Sequence, residues 1–142
     1  MAYEATMKHG LVQGYPEENY KKNAIVLAAG TRSLVVARAA GVPMAFGTDL
    51  IGELDDHQCD EFLIRARVLS NAESVRAATT TAAEVLRRTG ELGVIASGAF
   101  ADILVLDKNP LDDISVLASS GKDLRVIMRD GKIHKDNLGL WQ

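Results

Sequence analysis

The chain has 142 residues, 47% of them hydrophobic and 25% charged, enough apolar material for one ordinary domain with a core and too much for a disordered chain. The 16 Lys and Arg stand against 19 Asp and Glu for a formal charge of −3, and with no stripe of basic residues nucleic acid is excluded as an expected partner. A single cysteine rules out an intrachain disulfide, the start Met1-Ala-Tyr-Glu-Ala lacks the pattern of a secretory leader, and no apolar run nears the ~20 residues that cross a bilayer, so the expectation is a cytosolic protein without a membrane partner.

His9 falls in an expected loop. From Glu17 to Ala40 the residues favour helix, expected in two pieces because Gly30 interrupts them and Thr31 or Ser33 is placed to cap the second. The run Val42-Pro-Met-Ala-Phe46, bounded by Gly41 and Gly47, reads as a strand covered on both faces, as in a parallel sheet. It stops at Gly47-Thr48-Asp49, and residues just past the carboxyl ends of such strands are where ligands and chemistry collect. Asp49 is therefore the candidate working carboxylate; an Asp in an ordinary turn is the plain alternative.

Beyond the loop Leu50 to Asp56, whose Asp55 and Asp56 suit a helix N-terminus, Cys59, Phe62, Leu63, Ala66 and Leu69 recur at the spacing of one helix face. Cys59 on that face reads as a packed thiol. Ser70-Asn-Ala-Glu73 and Thr81-Ala-Ala-Glu84 both have the capping-box pattern, so two short helices are expected, ending at Gly90. From Gly93 the pattern turns to β. Ile103 to Leu106 reads as a strand, Asp112 or Asp113 as the cap of a helical turn through Leu117, and Leu124 to Met128, Asp130-Gly131 and Lys132 to His134 as a hairpin. No role attaches to His9 or His134.

The order strand, Gly47-Thr-Asp49, helices, Gly93-x-Ile-x-x-Gly98-x-x-Ala-Asp102 and terminal hairpin resembles the C-terminal part of amidohydrolase-superfamily enzymes. Gly47-Thr-Asp-Leu-Ile-Gly-Glu53 and His57-Gln-Cys-Asp-Glu-Phe-Leu-Ile-Arg65 bring it nearest to the imidazolonepropionase-like and Xaa-Pro dipeptidase-like branch. The resemblance implies an α/β fold: residues 1–90 as the last βα unit of a (β/α)₈ barrel and residues 91–142 as tail strands of a composite β-sandwich. It implies that Asp49, at the end of the eighth strand, is a metal ligand and accepts a proton from a metal-bound water, the metal being divalent and expected to be zinc. His57, near the mouth of such a barrel, would contact a substrate carboxylate; a surface histidine at a helix start is the plain alternative.

The rest of the family's ligand set, a His-x-His pair, a Lys that is often carbamylated and two further His, has no counterpart in the sequence. A closed barrel typically takes ~250 residues. The expectation is thus a fragment of a hydrolase acting on a dipeptide or another small amide, inactive and without tightly held metal when alone, and either self-associated or joined to a complementary barrel piece. The alternative is a non-catalytic structural or interaction module that keeps the tail architecture.

Overall fold

The computed structural model describes residues 2–9, 16–50 and 52–140. The expected loop around His9 is instead helix α1, Ala2–His9. Helix α2, Glu17–Ala39, is continuous, which corrects the expected break at Gly30. A mid-helix glycine costs only about 1 kcal/mol, and the Ser33 hydroxyl, rather than capping a new helix, donates to the Gly30 carbonyl at 2.6 Å. The helix closes in a Schellman turn, with the Gly41 amide donating to Arg38 and the Val42 amide to Ala37, both at 3.0 Å. Gly41 takes φ +67° there, as the motif requires.

The expected strand Val42 to Phe46 is extended but has no ladder partner among the described residues. A strand is defined by its neighbours, and among the described residues this stretch has none to pair with. It leads through a 3₁₀ turn, Gly52–His57, into α3, Asp60–Arg65. That helix is shorter than the periodicity implied, and its buried face is different: Ile64 is buried together with Glu61 and Arg65, while Leu63 and Cys59 are exposed.

Helices α4, Asn71–Ala78, and α5, Thr80–Val85, follow. The Ser70 capping box forms, with both reciprocal hydrogen bonds in place. The Thr81 box does not, because α5 begins directly after α4 and Thr81 is already inside the helix. The chain leaves α5 through a second Schellman turn, with Arg87 at φ +56° and Arg88 donating to Ala83, so the helix stops ahead of Gly90. Leu34, Ile64, Leu69, Ala77, Ala83, Ile114, Val116 and Val126 make the core of the described residues.

Strands β1, Ile103–Leu106, β2, Leu124–Arg129, and β3, Lys132–Asp136, form an antiparallel sheet in that order. The hairpin turn has Asp130 at φ +48° and Gly131 at φ +74°, the left-handed pair that matches strand twist. Asp102 explains its own place before β1: its Oδ1 accepts from the Asp130 amide at 2.7 Å, while Ala101 O accepts from Gly131 N at 3.1 Å. Of the two expected caps, Asp113 is the one used, accepting from Ser115 N ahead of a 3₁₀ turn, Ile114–Leu117.

An ionic tie joins α2 to α4. Arg38 of α2 grips Glu73 of α4 through Nε at 2.8 Å and Nη2 at 2.9 Å, and donates from Nη1 to Val68 O at 3.2 Å. The Ser70 backbone N–H, then Arg38 and the Ser70 hydroxyl, hold the Glu73 carboxyl down from 4.5 to about 2. A depressed carboxylate contributes stability above its unfolded value and loses it as pH falls through its folded one. Unfolding midpoints should therefore drop as pH goes from about 4.5 toward 2, and Glu73→Gln should flatten that slope; an unchanged slope in the variant would show the network carries no net stability.

Candidate active site

The backbone that leads to Asp49 is held at three points. Phe46 N donates to Ala77 O at 2.8 Å, Arg65 Nη2 donates to Ala45 O at 2.8 Å, and the Phe46 ring lies 4.4 Å from the Phe62 ring and 5.3 Å from the Arg65 guanidinium. Arg65 is itself fixed by Glu61, whose Oε1 accepts from Nε at 2.6 Å one helical turn away. Both side chains are buried, at 6% and 2% exposure.

Past these anchors Asp49 sits in left-handed backbone at φ +55°. Left-handed backbone is uncommon for a residue with a Cβ, although Asp tolerates it better than most, and such strain gathers at functional sites. Asp49 is exposed and opens onto a cleft of about 310 Å³ between α2, represented by Val26, Gly30, Thr31 and Leu34, and the buried trio Glu61, Ile64 and Arg65.

His57 does not share that cleft. Half-buried, it lines a space of about 20 Å³ with Glu4 and Lys8 of α1 and with Asp60, while Thr48, Glu61 and Ile64 border both cavities. Its Nδ1 lies 3.3 Å from Asp60 Oδ2. Helix α1 is tied down beside it by Arg67, whose Nη1 and Nη2 donate to Glu4 at 3.0 and 2.9 Å. That pairing, and then Lys8, hold the Glu4 carboxyl below its usual value against the opposing effect of burial.

Cys59 is exposed at the start of α3, against the expectation of a packed thiol. Partial desolvation of its sulfur, and then the neighbouring Asp60 charge, push the thiol above its ordinary value, the opposite of what a nucleophilic cysteine needs. The residues that sequence reasoning missed are Glu61 and Arg65. Their signal was a charged pair four apart enclosing the apolar Phe62-Leu63-Ile64, a spacing that equally describes a solvated helix pair.

Among the described residues no three His, Cys, Asp or Glu side chains converge to hold a metal ion, and a catalytic zinc takes three protein ligands. The donors among the described residues do not amount to a metal site by themselves. Also among the described residues, no helix is long and apolar enough to cross a membrane.

Comparison with known proteins gives this arrangement its context. A prolidase solved with N-methylphosphonate-L-proline is 47% identical, with a TM-score of 0.90 over 95% of this chain and 33% of that one. An Xaa-Pro dipeptidase solved with methionine in its active site is 29% identical, with a TM-score of 0.79 over 94% of this chain and 32% of that one. Ochratoxinase of Aspergillus niger is 27% identical over 131 residues, which are 91% of this chain and 27% of that protein. The chain thus spans about a third or less of the proteins it matches. Residues 3–134 match the amidohydrolase family, across helices and sheet alike, and the chain, of mixed α/β structure, belongs to that family.

Proposed function

We propose that this chain is the C-terminal part of a metal-dependent hydrolase that cleaves a C–N amide bond in a dipeptide or related small amide, and that Asp49 is its catalytic carboxylate. The observation that carries the reading is the setting of Asp49: an exposed carboxylate in left-handed backbone, at the end of an anchored extended segment, beside a cleft. The prolidase and Xaa-Pro dipeptidase relatives favour a dipeptide.

Residues 1–90 are read as the last strand of a (β/α)₈ barrel with its flanking helices, and residues 91–142 as the sandwich tail. In support, Val42 to Phe46 has no ladder among the described residues, and β1 is an edge strand with Leu104 51% exposed. Helix α2 also leaves Ile25 73% and Val36 59% exposed, apolar groups that neighbouring barrel elements would cover. Divalent metal belongs to the completed enzyme, with zinc as the reading, and when bound it acidifies a water. This chain's own part is to take up a proton at the Asp49 carboxylate. His57 is read as a contact for the substrate carboxylate.

Two preparations test this. The chain alone should bind no near-stoichiometric zinc, show no dipeptide turnover, and scatter light as assemblies rather than as a monomer. A chimera in which it replaces the matching third of the 47% identical prolidase should hydrolyse dipeptides and stop on addition of a chelator. Chelator-sensitive turnover by the chain alone would overturn the fragment reading; a folded, zinc-loaded chimera without turnover would overturn the catalytic one in favour of a structural module.

A further inference from the structure

We propose that the buried Glu61–Arg65 pair is a positioning device for Asp49, acting through the carbonyl of Ala45 and the ring of Phe46. The inference rests on the reading of Asp49 as the catalytic carboxylate and concerns how its geometry is kept.

Energetic cost points to this spot. Taking two charges out of water to pair them seldom gains stability over an apolar pair of the same volume. Here the pair is buried to 2% and 6% exposure, and Arg65 Nη1, itself buried, has no hydrogen-bond partner among the described residues, which adds to the cost. A second cost, the left-handed backbone of Asp49, lies four residues beyond the point that Arg65 grips. Two unfavourable features joined by one short stretch of chain are what a site held against its own preferences looks like.

The geometry supplies the linkage. Arg65 spends Nε on Glu61, Nη2 on Ala45 O and its planar face on Phe46. A ladder would ordinarily fix the end of an extended segment, and Val42 to Phe46 has none among the described residues. The guanidinium takes over that task at Ala45 and Phe46, just before the Gly47-Thr48 step that leads to Asp49. Lysine would offer a point charge without the fork or the stacking plane.

The double variant Glu61→Leu/Arg65→Met replaces the pair by apolar side chains of similar bulk. In the 142-residue chain it should melt at or above the wild-type temperature, while the amide-to-Hα coupling of Asp49 in NMR departs from its left-handed value. In the prolidase chimera the same change should lower kcat about 10²-fold, the scale of a misplaced catalytic group, with KM nearly constant. Arg65→Lys, which keeps the charge, should give an intermediate loss and serves if the double variant fails to fold. An Asp49 coupling unchanged in either folded variant would overturn the proposal. Because that coupling is read without turnover, it judges the positioning role even if Asp49 proves not to be the catalytic group.

Discussion

Asp49→Asn in the prolidase chimera is expected to lower turnover by roughly 10²- to 10⁴-fold, the range for removing a general base, with little change in melting temperature. The amide keeps the size of the carboxylate and gives up its charge and its ability to take a proton. Asparagine is also the other side chain that accepts left-handed backbone readily, so the φ of +55° at this position does not turn the test into one of stability. Alanine would be a poorer probe, since left-handed backbone costs it about 1–2 kcal/mol. The exposed side chain of Asp49 leaves no packed contact to lose. Steady-state hydrolysis of an Xaa-Pro dipeptide, with a thermal melt alongside, decides the matter: a wild-type rate refutes the catalytic role, and an unfolded variant points to a structural one.

The largest effect on stability is expected at Gly93. A Cβ there would lie 2.5 Å from the carbonyl carbon of Thr79, 2.6 Å from its oxygen and 2.9 Å from Thr80 N. All three are backbone atoms at the junction of α4 and α5, so no side chain can swing away. The residue also has φ +71°. Overpacking of about 1–3 kcal/mol adds to a left-handed penalty of about 1–2 kcal/mol, and Gly93→Ala should cost about 3 kcal/mol or more. Gly98 separates the two contributions, because it has φ +86° with nothing within 4 Å. Gly98→Ala should lose only the conformational part, about 1 kcal/mol. Urea unfolding of both variants is the measurement, and equal losses would mean that the approach to Thr79 relaxes at no cost.

What the sequence made legible was local. The Asp130-Gly131 hairpin, the strand Ile103 to Leu106, the Ser70 box and the Asp113 cap each depend on residues within a few positions of one another, and each is present. What it concealed was relational. Val42 to Phe46 has the composition of a strand, yet pairing belongs to two segments, and the second is not among the described residues. Gly30 has the composition of a break, yet a 23-residue helix outweighs one glycine. The Glu61–Arg65 pair has the spacing of a solvated ion pair, and only tertiary packing reveals that it lies beneath Phe46. Asp49 was singled out by the run that stops before it; the cleft it faces depends on α2 folding back from earlier in the chain, which no local pattern encodes.

Cys59 gives the molecule one chemical handle. It is the sole cysteine of the sequence, it is exposed, and it opens the short helix that carries Glu61 and Arg65. A maleimide dye would therefore attach once per chain, two residues before Glu61 of the buried pair. With its thiol raised by desolvation and by Asp60, attachment should be slow at neutral pH and quicken in mild alkali, since the thiolate is the reacting form. Fluorescence from that single point would register any polypeptide that comes to cover the Asp49 end of the molecule.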